Sequence, residues 1–160
     1  MPDSTEKIYR ELKDLQNKAT ARDYEVRCPY CHELAVKVDS RRIYGRSYGD
    51  IYLCKNFPTC DAYVGINKKT GEPLGTMANP ELRMLRKKAH KLFDRLWLEY
   101  LPMHKQYEHR SRCYAWLSIR MNIPPVLCHI AMFNIDQCER LIGICEYEII
   151  QIPEKEEIFV

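Results

Sequence analysis

Four cysteines between positions 28 and 60 restrict what this chain can fold into more than anything else in it. They read Cys28-Pro29-Tyr30-Cys31, then twenty-two residues, then Cys54-Lys55-Asn56-Phe57-Pro58-Thr59-Cys60. Two cysteine pairs, each closing a short turn and joined by a strand-like arm, form the layout of a tetrahedral structural zinc site. Four thiolates at about 2.3 Å complete the coordination shell and leave no open position for chemistry. In Cys28-x-x-Cys31 the turn aims both sulfurs at one point. In the wider second pair, Pro58 limits the loop two residues before its last sulfur. A disulfide framework needs an oxidising compartment, and Met1 to Lys7 lacks the basic-then-apolar pattern of a signal peptide. A redox-active CxxC would sit in a βαβ pattern, which the flanking residues do not make. The expected cofactor is one structural Zn²⁺ held by Cys28, Cys31, Cys54 and Cys60.

The metal has to do structural work, because the arm between the pairs carries little core. Leu34, Val36 and Val38 alternate as one strand, broken near Asp39-Ser40. Ile43-Tyr44 and Ile51-Tyr52-Leu53 read as returning strands, with turns at Gly45 and Tyr48-Gly49-Asp50. Asp61 to Gly65 continues from the last ligand as a final short strand. Such an antiparallel ribbon is too small to fold by burial alone, so metal binding supplies the folding energy.

The flanking segments read as helical. Residues 4–20 form an amphipathic helix with Asp3 and Glu6 as a capping box and Ile8, Leu12 and Leu15 on one face. Asn79 caps a longer helix over 80–101, with Pro80 at its first position and Pro102 ending it. Leu82, Leu85, Ala89, Leu92, Phe93, Leu96 and Tyr100 make its apolar stripe. Ser111 caps a helix running towards Met121, stopped by Asn122-Ile123-Pro124-Pro125. Asn134 and Gln137 form another capping box, with Phe133 and Cys138 placed as a hydrophobic staple, for a helix reaching about Cys145. Residues 147–152 alternate weakly as a strand, followed by an acidic tail. The expected class is α+β: a small antiparallel zinc ribbon with four cysteine ligands, packed with a helical bundle and preceded by an N-terminal helix. Its parts are the N-terminal helix (1–22), the ribbon (23–78), a helical subdomain (79–145) and the acidic tail (146–160).

Charge argues weakly about partners. The chain of 160 residues has a formal charge of +3 and eight cysteines. A Zn²⁺ bound by four thiolates adds about −2. Distribution says more, since the last fifteen residues hold five glutamates against one lysine. The remainder is distinctly basic. Arg41, Arg42 and Arg46 cluster on the arm with Tyr44, Tyr48 and Tyr52 interleaved, and Lys55 lies in the second zinc turn. Cations for phosphates beside aromatic rings for stacking is the composition that single-stranded nucleic-acid recognition uses. The helix from residue 80 adds Arg83, Arg86, Lys87, His90 and Lys91.

Catalysis has less support. His90 and Asp94 lie four apart on one helix, but a hydrolytic nuclease needs clustered carboxylates or a metal with an open position. Cys113, Cys128, His129 and Cys138 match no paired-turn metal spacing, and the cysteines read as buried small apolar groups. No catalytic residue is assigned. The expected function is a non-enzymatic, zinc-ribbon nucleic-acid-binding protein of accessory or regulatory type, most suited to single-stranded DNA. The alternatives are a protein-interaction module and a metal-dependent nuclease. A cytoplasmic location follows from the free thiols, and no membrane partner is expected.

Two resemblances attach to these residues. Cys-Pro-x-Cys followed by aromatic-x-Cys-x-Asn-x-Pro-x-Cys is similar to the C-terminal zinc ribbons of bacterial type I topoisomerases, which implies single-stranded DNA binding over about forty residues. A second set comprises Cys60 to Gly65, Thr70 to Asn79, Leu82-Arg83, Arg86-Lys87, Ala89-His90 and Phe93-Asp94-x-x-Trp97. It continues through Arg112-x-Tyr114-Ala115-Trp116-Leu117, His129-Ile130-x-x-Phe133 and Gln137-Cys138. This set resembles a zinc-finger-containing domain family frequent in bacteriophages and prophages. Asn67 departs from it, standing where the family has histidine. The resemblance implies zinc, a phage or bacterial setting and an intracellular location, in which the interaction module would grip a host enzyme, as a phage inhibitor of a defence enzyme would.

Overall fold

A computed structural model of the chain describes residues 25–98 and 106–150. These fall into two compact units divided between Asn79 and Pro80. The expected N-terminal helix, Tyr100, Pro102 and residues 151–160 lie outside the described residues. The class is α+β, as the sequence indicated: a three-stranded antiparallel sheet with the four cysteines clustered, and helices.

In the first unit, β1 (Ala35–Asp39), β2 (Asp50–Cys54) and β3 (Tyr63–Gly65) form one sheet with β2 in the centre. Register pairs Val36 with Leu53 across one edge, and Leu53 with Tyr63 across the other. The central strand is buried from Ile51 to Cys54, whereas β1, at an edge, leaves Val36 42% exposed. Around the cysteines, Cys28, Tyr52, Cys54, Ala62, Val64 and Met77 make the core cluster, flanked by Val26, Ala35 and Ile66. Two of the four cysteines belong to this small cluster, and the other two, Cys31 and Cys60, pack against it.

Ile43-Tyr44 is not a strand. Residues Arg41–Tyr44 form one helical turn, α1. The reason is local hydrogen bonding. Asp39 Oδ1 accepts from the Arg41 N–H at 2.7 Å, and the Ser40 carbonyl accepts from the Ile43 and Tyr44 N–H groups, both at 3.0 Å. Gly45 closes the turn at φ 74°, a left-handed conformation that glycine adopts without a Cβ penalty.

In the second unit, α2 (Pro80–Leu98) buries Leu82, Ala89 and Phe93. It packs chiefly against α4 (Ile135–Ile150) and also against α3 (Gln106–Met121). Two single 3-10 turns, Pro125–Leu127 and Ile130–Met132, bridge α3 to α4. Phe93, Leu117, Met121, Ile130, Phe133, Leu141 and Cys145 are fully buried core residues here. The expected capping box at α4 forms reciprocally. The Gln137 N–H donates to Asn134 Oδ1 at 2.9 Å, and the Asn134 N–H donates to Gln137 Oε1 at 3.0 Å.

Two boundaries differ from the sequence reading. Ser111 lies inside α3 rather than capping it, because the helix begins at Gln106. Residues 147–150 are helical, not a strand, and continue α4 past Cys145. Glu146 faces Lys88 at 3.4 Å and Glu148 faces Arg120 at 3.0 Å, so two tail glutamates belong to the helical unit. Such exposed pairs contribute little each, and the i, i+3, i+4, i+7 burial of Cys138, Leu141, Ile142 and Cys145 carries the helix.

Candidate metal centre and cationic surface

The four expected ligands converge. The sulfurs of Cys28, Cys31, Cys54 and Cys60 all lie within 4.8 Å of one another. Cys28 and Cys60 sulfurs are 3.5 Å apart, and those of Cys31 and Cys54 are 3.4 Å apart. Tetrahedral thiolates at about 2.3 Å from a central ion sit about 3.8 Å from each other. The donor set and its spacing therefore fit one structural Zn²⁺.

Each pair is shaped by its own backbone. In the first turn the Cys28 carbonyl accepts from the His32 N–H at 2.9 Å, and the Cys28 N–H donates to the Glu33 carbonyl at 2.8 Å. His32, just past Cys31, takes a left-handed φ of 64° that lets the chain double back. In the second, the Phe57 N–H donates to the Cys54 carbonyl and the Cys60 N–H to the Asn56 carbonyl, both at 3.0 Å. The Asn56 amide also points at Cys31 Sγ, 3.5 Å away, as an outer donor that favours a thiolate. Sequence reading gave Asn56 no role.

Thiol electrostatics follow from this crowding. The Glu33 backbone N–H, and after it the Cys54 thiol, lower Cys31 to about 7. Burial raises Cys54 and Cys60. Four adjacent sulfurs cannot all ionise without a cation among them, and Zn²⁺ deprotonates its thiols outright. Cys113, Cys128, Cys138 and Cys145 lie outside this cluster. Burial raises all four thiols, and no second ligand group forms among the described residues.

The expected nucleic-acid residues divide between the units. Arg41, Arg42, Tyr44, Arg46 and Tyr48 stand together on the exposed loop between β1 and β2. That loop is tied down. The Ser47 hydroxyl donates to Asp39 Oδ2 at 2.9 Å, the Tyr48 N–H to the Ser40 hydroxyl at 2.8 Å, and the Ser40 N–H to the Gly49 carbonyl at 2.9 Å. The Arg41 N–H, then the Ser47 hydroxyl, hold the Asp39 carboxyl below its ordinary range. Arg46 donates to the Tyr48 hydroxyl and lies over its ring, 4.8 Å from the centroid. Tyr44 and Tyr48 remain 51% and 54% exposed. Tyr63, absent from the sequence-derived set, joins them, with its ring 6.1 Å from that of Tyr44. Its only sequence signal was an aromatic residue in the strand after the last ligand.

Tyr52 does not belong to this surface. Its ring is buried in the core cluster, and its hydroxyl donates to the Gly71 carbonyl at 3.0 Å. Its nearness in sequence to the arginine cluster placed it with Tyr44 and Tyr48, but β2 is central and its residues from Ile51 to Cys54 are buried. Lys55 is exposed in the second zinc turn. On α2, Lys87 and Lys91 are exposed and Arg83 is half-buried on the same face. Arg86 is taken up structurally, since its Nε and Nη2 donate to the Phe133 carbonyl at 3.0 and 2.8 Å. His90 is half-buried, and that burial lowers its pKa despite the nearby Asp94 carboxylate. A neutral imidazole is a poor phosphate contact. Asp94 itself accepts from the Trp97 indole N–H at 3.2 Å.

A family model described as a zinc-finger-containing domain matches residues 24–148. The chain matches no curated protein and no solved structure.

Proposed function

This chain belongs to the zinc-finger-containing domain family, and from that premise we propose that it is a non-enzymatic, single-stranded nucleic-acid-binding accessory protein of phage or prophage type. The zinc centre is its scaffold. The observation that carries the reading is the loop between β1 and β2, where Arg41, Arg42 and Arg46 stand exposed beside Tyr44 and Tyr48. Hydrogen bonds at Asp39 and Ser40 anchor that loop, so less ordering entropy is lost when a strand binds. Guanidinium groups neutralise phosphates, and tyrosine rings stack bases without demanding a sequence. The likeness of the cysteine turns to topoisomerase zinc ribbons supports the same chemistry. Action in the bacterial cytoplasm is part of this proposal. No described helix is long and apolar enough to cross a membrane.

The test is fluorescence anisotropy of a labelled oligothymidylate with zinc-loaded protein across a salt series. Three phosphate contacts give a slope of about −2 in log K against log salt. Arg41→Ala combined with Arg46→Ala should flatten that slope. Absence of binding at about 50 mM salt sinks the reading. Cleavage of the same DNA with Mg²⁺, lost in both His90→Ala and Asp94→Ala, would replace it with a nuclease.

A second reading, a module that grips a host protein, draws on the helical unit. Met84, Ile119 and Val126 are 73%, 80% and 78% exposed there, the apolar side chains such a partner would cover. A stoichiometric protein partner lost in Ile119→Glu and Val126→Glu, with no oligonucleotide binding, would favour it.

A further inference from the structure

Beside the cationic loop the first unit holds an open cavity of about 470 Å³, whose lining includes Tyr44, Tyr48, Tyr63, Asn67, Lys68 and Leu74. That size falls within the roughly 300–1,000 Å³ of small-ligand sites. Tyr44 stands edge-on to both neighbouring rings, at 5.7 Å and 86° to Tyr48 and at 6.1 Å and 88° to Tyr63. Its hydroxyl donates to that of Tyr63 at 3.0 Å. Aromatic walls with Tyr44 at right angles to the other two rings accept either a planar ring or a methylated ammonium.

Two glycines seat the remaining lining. A Cβ on Gly49 would meet Lys68 Cε at 3.0 Å, and a Cβ on Gly65 would meet Leu74 Cδ1 at 3.0 Å. Gly49 also takes a φ of 117°. Any larger residue at either position would push a lining side chain out of place. Asn67 holds the far wall, where its Oδ1 accepts from the Lys69 N–H at 2.9 Å.

Charge selects between the two kinds of ligand. Asp50 also lines the cavity, but its carboxylate faces Lys37 at 3.7 Å. Lys68 on the wall and Arg46 over Tyr48 outnumber the other carboxylate nearby, Asp39, which faces the Ser47 hydroxyl. A cationic ligand would be repelled, while a planar ligand carrying phosphates would be attracted. We propose that this cavity takes one unstacked base of a single-stranded nucleic acid, with Lys68 and Arg46 meeting the phosphates on either side. The inference rests on the nucleic-acid reading above and adds Tyr63 and Lys68 to it.

The test uses zinc-loaded full-length chain and an oligothymidylate carrying one 5-iodouracil, cross-linked by light and mapped by mass spectrometry. A parallel titration follows the fluorescence of a single 2-aminopurine in the same strand. The expected adducts fall on Tyr44, Tyr48 or Tyr63. Tyr48→Ala weakens binding by roughly tenfold, Tyr48→Phe restores it, and Lys68→Ala weakens it without abolishing the 2-aminopurine change. Zinc content of each variant checks that the ribbon is intact. Oligonucleotide bound normally, but with adducts confined to α2 or with Tyr48→Ala unchanged, overturns the subsite and leaves the broader reading standing. No oligonucleotide binding at all removes both. A trimethyl-lysine peptide that binds and protects Tyr44 and Tyr48 from modification would show a cage for cations instead.

Discussion

Cys54 and Cys138 are both buried thiols, and burial raises both, yet their neighbours give them opposite duties. Cys54 has three sulfurs within 4.8 Å, whereas Cys138 sits in the core of the helical unit. Cys54→Ser should lose the metal and the ribbon with it, because a neutral hydroxyl is a poor fourth ligand. Cys138→Ser should keep one zinc per chain and lose about 1–3 kcal/mol, the cost of burying a hydroxyl without a partner. Elemental analysis beside chemical denaturation separates the two. Tyr52 allows a similar contrast with its exposed neighbours. Tyr52→Phe removes the bond to the Gly71 carbonyl and should cost about 1 kcal/mol in a thermal melt, with no change in oligonucleotide affinity.

At the scale of elements, the two ends of the second unit show local rules at work. The Asn134–Gln137 box satisfies two N–H groups at the start of α4. Asn134→Ala should lower stability by about 1 kcal/mol in denaturant titration while leaving zinc content alone. On α2, burial is the largest influence on His90 and lowers its pKa. Asp94 opposes that shift, and Arg110 and Arg86 reinforce it. A lowered folded pKa means that the unfolded chain binds the extra proton first as pH falls. Stability of the helical unit should therefore hold above about pH 6.5 and fall below it. His90→Gln should flatten that decline, read as the denaturation midpoint at several pH values between about 7.5 and about 5.

For the whole molecule, the division between Asn79 and Pro80 separates two sources of stability. The ribbon has six residues in its core cluster and four metal ligands, two of which belong to that cluster. The helical unit buries Phe93, Leu117, Met121, Ile130, Phe133 and Leu141 without metal. Chelation of zinc should abolish the dispersed amide NMR signals of residues 25–78 and leave far-ultraviolet helicity largely intact. Loss of both together would show that the helices depend on the ion.

Sequence alone determined the features whose partners lie a few residues apart. The zinc ligands were legible because each turn brings its own two sulfurs together, and the Asn134–Gln137 box because its bonds span three positions. Pro80 marked the start of α2 because its missing N–H costs nothing there. Tertiary structure decided what depends on distant pairing. Interleaving with the arginines treats Tyr44, Tyr48 and Tyr52 alike, but the first two occupy a loop and the third the middle of a sheet. Arg41–Tyr44 became a helical turn once the Asp39 and Ser40 acceptors outcompeted a strand that had no neighbour to pair with. Arg86 looked like part of a basic face until Phe133, forty-seven residues away, offered it a carbonyl. Tyr63 reached Tyr44 across nineteen residues because β3 pairs back onto β2. Hydrogen bonds close at hand can be read from residue order, whereas burial is settled only when segments far apart in the chain meet.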